Sequence, residues 1–102
     1  MIHPTLQQFM PKVIELLKKH KIKSAYVFGS AITERFNEVS DVDFLVNFQD
    51  GLEPLERSEL WWDLHDSLRD SLKREVDLLS EKALKNPYFI KELNQTKVKI
   101  YG

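Results

Sequence analysis

The 102-residue sequence contains no cysteine, which excludes disulfide cross-links and thiolate metal sites. Its three histidines, His3, His20 and His65, are far apart, and their spacing does not indicate a metal site. No apolar run approaches the ~20 residues of a membrane helix, and the N-terminal residues lack the basic and apolar regions of a signal peptide. We therefore expect a soluble cytoplasmic protein that makes no membrane contact.

Neither sign of charge dominates the sequence. Fifteen Lys and Arg residues balance sixteen Asp and Glu residues, and the formal net charge is −1. This balance argues against a dedicated nucleic-acid-binding protein, although a local basic patch is compatible with it. The length and the 42% hydrophobic content predict one domain, residues 1–102, with a modest core.

Hydrophobic periodicity predicts alternating strands and helices. Leu6, Phe9, Val13 and Leu16 are three or four residues apart and predict a helix over residues 6–20, which Pro11 either kinks or starts. The remaining segments are predicted as strands at 23–29, 41–47 and 75–79, helices at 54–72 and from 86 onward, and an extended tail at 97–101. This pattern favours an α+β fold, a small mixed sheet flanked by helices, and it leaves the strand order open.

Two aspartates begin the second predicted strand. Side chains alternate along a strand, so Asp41 and Asp43 point to one face while Val42 points to the other. Two neighbouring carboxylates repel each other unless a cation lies between them. Carboxylate oxygens suit Mg²⁺, which commonly takes one or two carboxylates and completes its shell with substrate phosphates.

A third carboxylate, Asp77, interrupts the apolar third strand. A charge in such a strand is costly unless it is paired with Lys73 or Arg74 or bound to a metal. If this strand lies beside the second one, Asp77 joins Asp41 and Asp43. Three carboxylates of this kind hold two ions roughly 4 Å apart, around the attacking and leaving oxygens of a phosphoryl transfer. Asp77 is then a third metal ligand or the general base.

Gly29 and Ser30 follow the first predicted strand. A glycine there permits a tight turn and a close approach of the backbone to a ligand. The N–H groups that follow, together with the Ser30 hydroxyl, suit the β- and γ-phosphates of a nucleotide. Each feature alone is common as a turn or a solvated strand edge; their combination favours a phosphoryl-transfer site.

The sequence resembles the minimal nucleotidyltransferases of the DNA polymerase beta-like superfamily. Their pattern is Gly-Ser, ten residues, Asp-x-Asp and a later aspartate, which Gly29-Ser30, Asp41-Val42-Asp43 and Asp77 match in order and spacing. The run from Ser40 to Val46 is also similar to the family's SDxDLLV. The resemblance implies a polymerase beta-like fold and Mg²⁺-dependent transfer of a nucleoside monophosphate, with AMP from ATP favoured.

One position departs from the family pattern. Many relatives carry an arginine three residues after the serine, where this chain has Thr33, and Arg35 follows two positions later. We expect Arg35 to bind the triphosphate in its place. A solvent-exposed loop arginine is the alternative interpretation.

The resemblance also implies a partner protein. Small members of the family act as antitoxins beside a HEPN-type toxin, and the implied reaction transfers AMP onto a tyrosine of that toxin. Trp61 and Trp62 are neighbours on one predicted helix, so one is expected in the core and the other at the surface, where exposed Trp favours interfaces. An antitoxin that only occludes its partner is the alternative function. The chain is too short, and its charge too low, for a template-directed polymerase.

Overall fold

Helices and strands alternate along the chain in the computed structural model, which describes residues 2–37 and 39–102. The helices are α1 (Pro4–Gln7), α2 (Met10–Lys19), α3 (Pro54–Leu72) and α4 (Pro87–Thr96). The strands are β1 (Ile22–Phe28), β2 (Val42–Phe48), β3 (Val76–Ser80) and β4 (Val98–Tyr101). Short 3₁₀ turns occupy Gly29–Ile32 and Glu81–Ala83. No helix of the described residues has the length and apolar character that crossing a bilayer requires.

The four strands form one mixed sheet in the order β3-β2-β1-β4. Strand β1 pairs antiparallel with β2 and with β4, whereas β2 and β3 run parallel. The parallel pair requires a crossover connection, and α3 supplies it. The predicted architecture, a small mixed sheet flanked by helices, is confirmed.

Each face of the sheet buries its own apolar cluster. Val42, Phe44 and Val46 of β2 are fully buried in the larger cluster, which includes side chains of α2 and α3. On the opposite face, Leu45 packs with Phe28 of β1 in a smaller cluster that α4 covers. The alternation along β2 therefore places the Asp43 side chain on the face of α4.

Local sequence explains where the helices begin and end. Pro11 lies in the first turn of α2, where a proline favours the start of a helix and does not kink it. The single helix predicted over residues 6–20 is two helices, α1 and α2, which residues 8–9 separate. Helix α3 has the predicted bounds, 54–72, and Lys73 caps its C-terminal end with a φ of +55°. The Asn86 side chain caps α4 by accepting hydrogen bonds from the backbone N–H groups of Tyr88 and Phe89.

Candidate active site

Three strands bring the predicted site residues to one end of the sheet. Asp43 of β2 lies opposite Asp77 of β3 in the parallel register and opposite Phe28 in the antiparallel register with β1. Gly29 directly follows Phe28, so the Gly-Ser pair reaches the same end. Asp41 precedes β2 instead of belonging to it, and its side chain is exposed. Asp77 is also exposed, whereas Asp43 is partly buried.

The carboxylates at this end repel one another. Burial, then the charge of Asp77, then that of Asp41, raise the pKa of Asp43 from 3.8 to about 6. The two neighbouring aspartates thus act on Asp43 electrostatically. Among the described residues, neither Lys73 nor Arg74 forms an ion pair with Asp77, so that alternative is not supported.

Gly29 fits against Asp43 in a way that no other residue permits. Its φ is +72°, in the left-handed region that side chains disfavour. A Cβ atom at this position would collide with Asp43 Oδ2 and lie 3.3 Å from Asp43 Cγ. The glycine therefore allows the turn after β1 to approach the carboxylate on β2 directly.

Thr33, which stands where many relatives have arginine, ends the 3₁₀ turn that begins at Gly29. Its hydroxyl and its backbone N–H both donate to the carbonyl oxygen of Ser30, each at 2.9 Å. Its hydroxyl oxygen also accepts a hydrogen bond from the backbone N–H of Arg35 at 3.2 Å. The Ser30 hydroxyl lies 3.5 Å from the carbonyl oxygen of Asp41, at the outer limit of a hydrogen bond. Thr33 thus shapes the loop and brings no charge to it.

A cleft of about 400 Å³ opens beside this turn. Gly29, Ser30 and Arg35 line one wall. Helix α4 provides the other wall, which includes Phe89 and Glu92. The ring centroids of Phe28 and Phe89 are 6.4 Å apart in an edge-to-face arrangement, which ties α4 to the end of β1. Arg35 therefore shares a cleft with the two residues expected to bind phosphates.

Comparison with known proteins agrees with this geometry. Residues 11–102 match the family model described as polymerase beta, nucleotidyltransferase. The chain belongs to this nucleotidyltransferase family. The match spans every strand of the sheet and all five aspartate, glycine and serine positions of the motif.

Relatives of known name and structure share both sequence and fold with the chain. It is 38% identical to "Putative protein adenylyltransferase MJ0128" of Methanocaldococcus jannaschii. The alignment extends over 80 residues and covers 78% of each protein. A structure described as a putative minimal nucleotidyltransferase is 28% identical, has a TM-score of 0.69 and covers 96% of this chain and 95% of that one. The structure of the tri-AMPylated Shewanella oneidensis HEPN toxin in complex with MNT antitoxin matches this chain in fold, with a TM-score of 0.63 and 24% identity. The match covers 94% of this chain and 71% of that one.

The donor set of this nucleotidyltransferase suits a divalent cation. Asp41, Asp43 and Asp77 offer hard oxygen ligands, and a cation between them would remove the repulsion that raises the pKa of Asp43. As placed in the described residues, no three His, Asp or Glu side chains converge closely enough to enclose an ion. The side chains of Asp41 and Asp77 are exposed and would have to turn toward Asp43 to share an ion with it.

Sequence reasoning did not predict that α4 forms a wall of the cleft. Asn86-Pro87 and the apolar spacing of Phe89 and Leu93 indicated a helix, and the structure confirms it. The packing of Phe89 against Phe28 is a long-range contact between elements whose order in the sheet the sequence left open. No local signal carries that information.

The two tryptophans of α3 divide as the sequence predicted. Trp61 packs against the main core, whereas Trp62 is 61% exposed. Their rings meet edge to face with centroids 4.7 Å apart, and Trp61 also stacks on His65 at 5.6 Å. Trp62 is therefore an exposed aromatic side chain whose ring packs against those of Trp61 and His65.

Proposed function

We propose that this chain is a Mg²⁺-dependent protein adenylyltransferase that transfers AMP from ATP to a tyrosine of a HEPN-type partner toxin. The sequence relative is named a protein adenylyltransferase, and the S. oneidensis complex pairs an AMPylated HEPN toxin with an MNT antitoxin. Both names concern those proteins, and they supply the acceptor class for the proposal. The partner's own surface is expected to present the tyrosine, since so small a domain covers little of an acceptor.

The observation that carries the proposal is the convergence of Gly29, Asp43 and Asp77. Asp43 and Asp77 are cross-strand neighbours, and only a glycine fits beside Asp43. We assign Asp41 and Asp43 to metal binding and Asp77 to a third ligand position or to the general base. When bound, Mg²⁺ supplies positive charge that offsets the phosphates and the carboxylates.

The residues divide the chemical work. In the role of general base, Asp77 accepts the proton of the tyrosine hydroxyl, whose oxygen then forms a bond to the α-phosphorus. The bond from that phosphorus to the bridging oxygen of pyrophosphate breaks, and pyrophosphate leaves. The backbone N–H groups after Gly29 and the Ser30 hydroxyl bind the β- and γ-phosphates, and Arg35 contributes a cation from the rim of the same cleft.

The test uses ATP labelled on its α-phosphate. The protein is purified together with the product of its neighbouring gene and incubated with Mg²⁺, beside an Asp41→Asn/Asp43→Asn double variant. An Asp70→Asn variant is the matched control, because Asp70 is exposed on α3 and outside the motif. Unlabelled GTP, CTP and UTP serve as competitors and report nucleotide preference.

Label on a tyrosine of the partner, lost in the double variant and kept in Asp70→Asn, is the expected result. An absence of transfer, with a tight complex that survives the double substitution, would contradict it. That outcome would favour the occluding antitoxin, in which the aspartates are dispensable.

A further inference from the structure

Arg74 contacts the segment of chain that leads into Asp41. It lies between α3 and β3 and is partly buried. Its Nη1 atom donates hydrogen bonds to two backbone carbonyl oxygens, that of Asn37 at 2.8 Å and that of Ser40 at 3.0 Å. The side chain thus joins the start of β3 to the residue immediately before Asp41.

The guanidinium group of Arg74 is itself held in place. Its central carbon lies 4.5 Å from the centroid of the Phe36 ring, and Phe36 is only 5% exposed, within the main core. A planar guanidinium can stack on an aromatic ring and donate in its own plane at the same time. A lysine ammonium lacks the plane that fixes both contacts. The arrangement is therefore specific for arginine.

The same segment is tied by hydrogen bonds of its own. The Ser40 N–H donates to the Asn37 carbonyl oxygen at 3.2 Å, and the Asn37 N–H donates to the Ser40 hydroxyl at 3.0 Å. The Val39 N–H donates to the Asn37 side-chain oxygen at 2.9 Å. Arg74 binds the carbonyl groups of both Asn37 and Ser40, so it adds to the hydrogen bonds that already join these two residues.

Asp41 directly follows Ser40 in the chain. It lies outside β2, and its side chain is exposed, so no strand pairing places it directly. The first bond of the ladder is made one residue later, from the Val42 N–H to the Glu75 carbonyl oxygen at 3.1 Å. Arg74, the residue before Glu75, binds the carbonyl group of Ser40 on the N-terminal side of Asp41. Residues 74 and 75 therefore contact the chain on both sides of Asp41.

We propose that Arg74 is a positioning residue that holds Asp41 beside Asp43 and Asp77. It acts through the carbonyl groups of Asn37 and Ser40, not through contact with the metal or nucleotide. The inference rests on the proposed function of the three aspartates. Residues that orient metal ligands commonly change metal affinity by about 10- to 100-fold when they are replaced.

Two variants separate position from charge. Arg74→Lys keeps the charge and loses the planar contacts, whereas Arg74→Gln loses both. Arg69→Gln is the matched control, because Arg69 is a nearby exposed arginine that pairs with Glu75 at 3.4 Å. Binding of Mg²⁺ in the presence of a non-hydrolysable ATP analogue is measured by calorimetry for all three and for the wild type. Urea unfolding of each variant verifies that it is folded.

We expect both Arg74 variants to bind Mg²⁺ about 10- to 100-fold more weakly, with Arg69→Gln close to the wild type. In transfer assays the Mg²⁺ requirement should rise while kcat at saturating Mg²⁺ recovers, which a general loss of structure would not produce. Amide hydrogen exchange of the free protein supplies a readout independent of activity. The N–H groups of Asn37, Val39 and Ser40 should exchange faster in the Arg74 variants, while those of β1 and β2 stay protected.

If Arg74→Lys binds Mg²⁺ as tightly as the wild type and amide exchange at these residues is unchanged, the inference about Arg74 is overturned. The proposed function would still stand, because the wild type binds Mg²⁺ and the analogue in that case. A wild-type protein that binds neither would overturn the proposed function, and this inference with it. The two failures are therefore distinguished by the wild-type measurement.

Discussion

Removal of the charge of Asp43 is expected to stabilise the fold while it abolishes metal binding. Burial and the charges of Asp77 and Asp41 raise the pKa of Asp43 to about 6. Because this folded-state pKa lies above the unfolded value of 3.8, folding favours the protonated carboxyl group. The stability that the protonated Asp43 carboxyl group contributes is fully present below pH 3.8 and is lost as the pH rises through about 6.

The magnitude follows from the size of the shift. A rise of roughly two units, at about 1.36 kcal/mol each, gives an upper limit of about 3 kcal/mol. Asp43 is only partly buried, so solvent screening reduces this cost to about 1–2 kcal/mol. Asparagine has the same shape and no charge. Asp43→Asn should therefore exceed the wild type in unfolding free energy by about 1–2 kcal/mol near neutral pH, and this difference should close by about pH 4.

Urea unfolding followed by the fluorescence of Trp61 and Trp62, with EDTA present, measures both effects. Asp70→Asn serves as the control for loss of one negative charge. With Mg²⁺ and a non-hydrolysable ATP analogue at about 100 times the dissociation constant, the wild type should gain about 2.7 kcal/mol and Asp43→Asn nothing. If Asp43→Asn is no more stable than the wild type near neutral pH, or if the difference does not shrink in acid, the repulsion at this end of the sheet is refuted.

Three further predictions test the glycine, the core and a polar contact. Gly51→Ala should cost about 1–2 kcal/mol in urea unfolding because its φ is positive. Gly29→Ala should cost more, because its φ is also positive and its added Cβ would collide with Asp43 Oδ2. Only Gly29→Ala should also abolish Mg²⁺–nucleotide binding, since an added Cβ at Gly51 meets nothing within 4 Å. Phe44→Ala should lower the unfolding free energy by about 3–5 kcal/mol, because Phe44 is fully buried. The hydrogen bond from Lys97, 2.8 Å long, lowers the pKa of Glu81; Lys97→Met should cost about 1–2 kcal/mol near neutral pH and progressively less as acid protonates Glu81.

Local patterns in the sequence predicted most of the fold. The spacing of the leucines and the position of Pro54 predicted the bounds of α3, and Asn86-Pro87 predicted the start of α4. These signals are local, because capping and helical periodicity involve residues a few positions apart. Strands β2 and β3 begin and end one residue later than predicted, whereas β1 begins and ends one residue earlier, since the bounds of a strand depend on its hydrogen-bonding partners.

Long-range contacts explain what the sequence did not predict. Three spaced motifs together indicated that Gly29, Asp43 and Asp77 belong to one site, because their combination is unusual although each motif alone is common. The position of α4 over the cleft depends on Phe89 meeting Phe28, and the bonds of Arg74 end on backbone carbonyl oxygens. Every residue carries a carbonyl group, so no residue type marks the acceptor of such a bond in the sequence.

The topology of the sheet explains why residues so distant in the sequence share one site. An antiparallel partner brings the end of β1, and hence Gly29, to the start of β2, where Asp43 lies. A parallel partner brings the start of β3, and hence Asp77, to the same place. The repulsion of Asp43 by Asp77 and Asp41 lowers the stability of the free protein. Magnesium and nucleotide are expected to relieve this repulsion on binding, so the charge arrangement that weakens the fold is the one that favours the substrate complex.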